Sequence, residues 1–182
     1  MADVEAIATT RLEDNAASIT ISSIPGTYQH LELRMNLTTT RASWPSDTLY
    51  LRFAHTGGSI DTGSHYTSSA MLGEYSTTET AFSNALTTKI DMYRLGAIGK
   101  GTVPSSNVTA QIMDYADTTK GTTLIYVGGV SSAFSAHGND RMVAMGGGCY
   151  SQTGAITSIH FYSDNQFNRG SVVSVYGWKD DS

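Results

Sequence analysis

The chain has 182 residues and a formal charge of −5, and only 15% of its residues are charged, against about a quarter in an ordinary domain. It holds no run of Lys or Arg able to neutralise a phosphate backbone, which argues against nucleic acid as a partner, and no apolar stretch near the ~18 residues a membrane helix requires. Its one cysteine, Cys149, excludes an internal disulfide and a cysteine-based zinc cluster.

The length suits one domain, 1–182, with a real core. Residues 1–17 lack the basic start and apolar centre of a signal peptide and read as a short lead segment, extended or in a single turn. The first patterned strand is "SITIS", with Ile19 and Ile21 on one face. Pro25 and Gly26 in "SSIPGTY" end it, because proline cannot donate to a ladder and glycine accepts positive φ. "HLELRMNL" places Leu31, Leu33, Met35 and Leu37 on one face and His30, Glu32, Arg34 and Asn36 on the other. That alternation marks a half-buried antiparallel strand. "TLYLRFA" repeats it with Leu49, Leu51 and Phe53 inward.

After the glycine-rich "HTGGSIDTGS" loop, the least patterned part of the chain runs from Gly73 to Ser106. Within it only "KIDMY", with Ile90 and Met92, reads as a strand. The segment 73–106 is too long for a plain loop in a compact sandwich, so it is expected to be an inserted hairpin or an arm reaching a neighbour. "NVTAQIMDY" then carries Val108, Ala110 and Ile112 on one face, whereas "TTLIYVGGV" and "RMVAMG" are apolar on both faces, as central strands are. "GGGC" reads as a glycine turn or bulge. In the two closing strands Ile159 and Phe161 share one face, and Val173 and Val175 share another. The polar loop between them holds Phe167, expected to fold back over the core, and Gly170 at the turn. The pair reads as a terminal hairpin that completes a sheet. Roughly eight to ten short strands with such breaks predict an all-β antiparallel sandwich or barrel.

Several sequence stretches, taken in order, resemble a family of small jelly-roll domains in structural proteins of tailed bacteriophages. They are "ITISSIPGTYQHLELRMN", "LYLRFAHTGGSIDTGSHYTSSAML" followed by "IMDYADTTKGTTLIYVGG", and the closing "AITSIHFYSDNQFNRGSVVSVYGW". In that family a strand leads into an S-I-P-x-T-Y-x-H-L turn, R-F-N-like and D-Y strands follow, and the chain ends on I-T-S-I … G-S-x-x-x-L-Y-G. Here Ala54 follows Phe53, and Val175 stands where Leu is usual. The resemblance spans nearly the whole chain. It implies an antiparallel jelly-roll β-sandwich and a virion structural protein made in the host bacterial cytoplasm.

Motifs with a chemical ring to them read as ordinary structure. "DTGS" (Asp61–Ser64) resembles an aspartic-protease turn, but that chemistry needs apolar strand residues before the aspartate and a second carboxylate to share the proton. "GGSI" precedes Asp61, and no second such turn occurs. His55 and His65 flank the same loop without ligand spacing on a defined element; His30, His137 and His160 are scattered. No G-x-S-x-G elbow is present, and "GGGC" lacks the Lys-Ser/Thr of a phosphate loop. The sequons at Asn36 and Asn107 lie at strand positions. Neither a metal nor a cofactor is expected, and no enzymatic activity.

A receptor-binding fibre attaches through a shaft or anchor, and the chain shows only a short lead. The expectation is therefore a capsid decoration, or cement, protein on the capsid surface. Its partners are then the major capsid protein and further copies of itself, expected as a homotrimer, which suits three-fold lattice positions, with a dimer at a two-fold axis as the alternative. The alternative is a carbohydrate-binding receptor tip of a tail fibre or spike. Candidate partner-contacting residues are Trp44 in the polar "RASWPSD" loop, Tyr93 and Arg94 in the 73–106 segment, and Trp178 after the last strand.

Overall fold

The computed structural model describes residues 3–41, 47–74, 79–92, 105–131 and 141–179. Trp44, Tyr93, Arg94 and His137 lie outside them. The regular structure among the described residues is antiparallel strand. One sheet holds eight strands in the order β1 (Val4–Arg11), β12 (Val172–Trp178), β3 (His30–Asn36), β8 (Ser105–Met113), β9 (Thr122–Ser131), β10 (Arg141–Tyr150), β5 (Tyr66–Glu74) and β6 (Thr80–Thr87). The other holds β2 (Ala16–Ile21), β11 (Ile156–Phe167), β4 (Leu49–His55) and β7 (Ile90–Met92). This is the jelly-roll sandwich expected.

The core lies between the sheets. Leu31 and Leu33, Val173 and Val175, and Ala110 and Ile112 face inward from the large sheet, against Ile19, Leu51, Phe53, Ile159 and Phe161 of the small one; all are buried. These are the period-2 faces of the sequence, and register pins them, because a slip of one residue would turn every one of them outward. The core is closed at one end by aromatic rings. Tyr66 stacks on Tyr150 at 4.8 Å, and Phe53 packs on Tyr150 at 5.5 Å.

Two local expectations change, the closing hairpin and the glycine turn, and the segments 1–17 and 73–106 gain definition. The lead 1–17 is mostly strand: β1 pairs with β12 at the sheet edge and carries a register shift between Ala6 and Ala8. Both its faces are half-exposed or exposed, so burial imposes little alternation on it. The closing strands form no hairpin. β11 pairs with β2 and β4, while β12 pairs with β1 and β3. The connection crosses from one sheet to the other, with Phe167 buried beneath it and Gly170 at φ 88°. The inward faces of the two strands therefore meet across the core. "GGG" lies inside β10: a Cβ on Gly148 would sit 2.7 Å from the Thr67 carbonyl oxygen and 2.8 Å from Ile90 Cγ2. Close packing of β7 on β10, and no turn, requires that glycine. Finally, the 73–106 segment contains β6, hairpinned to β5 and lengthening the large sheet, and β7, which pairs with β4.

Candidate functional site

The backbone register determines what the outer face of the large sheet presents. One row crosses all eight strands: Thr9, Ser174, Arg34, Thr109, Val127, Met145, Met71, Ala81. The row beside it runs Ala6, Tyr176, Glu32, Gln111, Ile125, Gly147, Ser69, Ser83. Both change character at β8.

On the β1–β12–β3 side the side chains satisfy one another. Thr9 and Ser174 share a hydroxyl hydrogen bond of 3.0 Å. Arg34 Nε donates to Glu32 Oε1 at 2.6 Å, and its guanidinium lies 4.8 Å over the Tyr176 ring. Asn36 Nδ2 donates to Asn107 Oδ1 at 2.9 Å.

On the β9–β10–β5 side the face is apolar and open. Met71, Ile125, Val127, Val143 and Met145 are each more than half exposed. They fall on adjacent strands, so they form one patch rather than scattered single residues. A groove of about 870 Å³ runs beside them, lined by β6, β5, β10, β9 and β8. Met71, Ile125, Val127 and Met145 supply its apolar wall, and Ser69, Ser83, Thr109 and Gln111 its uncharged polar groups. At Gly147 the floor is bare backbone: a Cβ there would lie 2.7 Å from the Leu124 carbonyl oxygen. None of the fifteen lining residues is charged. Cys149, on the same outer face, is exposed.

The outer face of the small sheet resembles the closed half. Lys89 Nζ sits 3.4 Å over the Tyr50 ring and 3.8 Å from Asp91, and Arg52 lies 4.8 Å over Tyr162. The Tyr50 hydroxyl donates to Asp164 at 3.0 Å, and Thr20 pairs with His160 Nδ1 at 2.8 Å. Burial, more than the nearby Arg52, holds the His160 imidazole below its usual range. The aromatic faces here are covered by the protein's own cations.

The "DTGS" turn is also a closed structure. Asp61 Oδ1 accepts from the Gly63 amide at 2.7 Å, and Oδ2 accepts from His65 Nδ1 at 2.7 Å and the Tyr150 hydroxyl at 2.8 Å. Partial burial raises the Asp61 pKa, but these three donors outweigh it and leave the carboxyl below its ordinary value. Tyr150 is pushed up by burial and then by its bond to Asp61. The turn thus joins the aromatic end of the core to the start of β5. His55 does not join this cluster; its Nδ1 lies 3.4 Å from the Thr56 carbonyl oxygen. Among the described residues no group of three His, Cys, Asp or Glu side chains is arranged to hold a metal.

Of the candidate contact residues, only Trp178 is described. It lies in the outer-face row with Val4 and His30, half-buried, with its Nε1 shielded from solvent and meeting no hydrogen-bond partner. The groove residues were not among the candidates. Their signal was the two-sided apolarity of "TTLIYVGGV" and "RMVAMG", read as burial on both faces. The strands are central in the sheet, but one of their faces is open.

No family model matches the chain, and no curated protein does. Among solved structures it is similar to an alginate lyase, Aly36B, bound to an alginate trisaccharide, at 12% identity and TM-score 0.32, over 92% of this chain and 88% of that one. It is similar to the CBM2 module of the evolved Dit of Lactobacillus casei BL23 phage J-1 at 10% identity and TM-score 0.26, over 91% and 70%. It is also similar to a chain of infectious bursal disease virus at 14% identity and TM-score 0.20, over 98% and 39%. The expectation of no enzymatic activity is corrected here: a lyase stands among these structures, so an all-β fold is no ground for excluding an enzyme. At these identities and scores the likeness assigns this chain no reaction. Among the described residues no helix is long and apolar enough to cross a membrane.

Proposed function

We propose that this chain is a virion structural protein of the capsid-decoration type, and that the apolar half of its large sheet is the surface by which it is held in the particle. The observation that carries this reading is the open patch of Met71, Ile125, Val127, Val143 and Met145 beside an uncharged groove. Contiguous apolar surface of this kind marks a contact site, and depletion of charge is the mark of a protein interface centre. The ordered sequence resemblance to small phage jelly rolls supplies the setting. A glycan site would instead offer open aromatic faces. In the groove the aromatic rings are Phe82 and Tyr126, and Tyr126 is buried, while the rings of the small sheet carry Lys89 and Arg52.

A decoration protein occurs in purified particles in numbers comparable to the major capsid protein, and an electron-microscopy map places it on the shell with the β9–β10–β5 face turned toward protein. A few copies at the tail, with soluble protein blocking adsorption to the host, would overturn this reading in favour of a receptor tip. Homotrimer formation at three-fold positions remains part of the proposal, and light scattering of the purified chain tests it.

A further inference from the structure

The groove also says something about the shape and chemistry of what fills it. We propose that it binds an uncharged, apolar peptide segment of about six residues, laid in extended form across the strands by a partner protein. It rests on the reading above only for where that segment comes from. The length follows from geometry: five strands at ~4.8 Å spacing span about 19 Å, which an extended chain crosses in about six residues. The volume of about 870 Å³ falls within the ~300–1,000 Å³ of sites that enclose a compact ligand.

The lining selects the chemistry. A charged side chain entering it would lose its hydration with no opposite charge among the lining residues to replace it. Aliphatic side chains would meet Met71, Met145, Ile125 and Val127, and methionine adapts its shape to varied apolar partners. At Gly147 the segment meets bare backbone, since a Cβ there would lie 2.7 Å from the Leu124 carbonyl oxygen. Ser69, Ser83, Thr109 and Gln111 offer hydroxyl and amide groups to a peptide backbone, which an aliphatic chain would leave unused.

The test uses the full chain with ¹³C-labelled methionine methyl groups. The probe is the capped peptide Ac-Ser-Leu-Ala-Val-Leu-Ser-NH2. Saturable shifts are expected at the Met71 and Met145 methyls and not at the remaining methionines, with a dissociation constant on the order of 0.1–1 mM. Replacing the central Ala-Val of the probe by Lys-Glu should weaken binding at least about tenfold. Val127→Asp and Met145→Lys, both at exposed positions, should abolish the shift at Met71, and Thr9→Lys on the closed half should leave it unchanged. No saturable shift at millimolar peptide, equal binding of the charged probe, or shifts with decyl maltoside in place of the peptide would each overturn the proposal. The titration contains no virion and the particle census contains no peptide, so this inference and the decoration reading fail separately.

Discussion

The outer face of the large sheet is one surface built in two ways. On β1, β12 and β3 the polar side chains along these rows pair with neighbours: Arg34 with Glu32 and Tyr176, Asn36 with Asn107, Thr9 with Ser174. On β9, β10 and β5 the same rows continue as Val127, Met145 and Met71, more than half exposed. The inner faces of β12 and β3 and of β9, β10 and β5 are alike buried, so folding requires the open half no more than the closed one. Exposed methionines and valines in one patch add nothing to the stability of a lone domain, and they bring a risk of aggregation. The difference separates what holds the fold from what remains for a partner.

The sharpest break of this comparison comes from beneath the open half. Gly148→Val would drive a side chain into the Thr67 carbonyl and Ile90, and overpacking of this kind costs about 3 kcal/mol. Urea denaturation should show that loss. If changes on the outer side of β10 cost as much, the open face would be core rather than interface.

A smaller loss is expected at the "DTGS" turn. Asp61→Ala removes the acceptor of three hydrogen bonds and strands the Tyr150 hydroxyl, for about 2 kcal/mol. The same group sets an acid dependence. Its folded pKa lies below the ordinary carboxylate value, so the unfolded chain binds its proton first as pH falls. The contribution is full above about pH 4, the ordinary value, and fades below it as pH falls through the lowered folded value. Thermal melts of Asp61→Asn should lack that part of the acid slope; an unchanged slope would show that Asp61 does not anchor the turn.

On the closed half, Glu32→Ala leaves Arg34 without its carboxylate. Because Arg34 is largely exposed, solvent screens the pair and the cost should be smaller than that of Asp61→Ala. A larger value, read by the same denaturation, would make the closed half a structural network in its own right.

How much of this was legible from the sequence depends on whether one strand or two decide the answer. Leu31, Leu33, Leu51 and Phe53 were readable as core because a period of two within one strand suffices. The crossover between β11 and β12 was not, since both strands have a core face whether they pair with each other or sit in opposite sheets. The edge strand β1 gave no pattern because neither of its faces is buried. The groove was half legible: "TTLIYVGGV" and "RMVAMG" displayed their two-sided apolarity, but a strand covered on both faces and a strand with one face open to a partner share that composition. Asp61, His65 and Tyr150 meet only through the β5–β10 register, which no local motif encodes.

The smallest effect is the one that tests the division most directly. Met145 stands in the middle of the open half, 53% exposed, between Val127 and Met71. Its neighbours along the row are equally exposed, so a lysine in its place can extend into water without leaving a cavity. Met145→Lys should therefore shift the urea midpoint by an amount corresponding to no more than about 0.5 kcal/mol, the range of ordinary surface substitutions. In the particle the same charge would have to be buried against protein without a counter-ion, and there occupancy should fall sharply. A variant that is stable alone yet absent from the virion would mark this half as interface. A variant that unfolds alone would show that the open face is needed by the domain itself, and one that is stable and fully incorporated would place the contact on another surface.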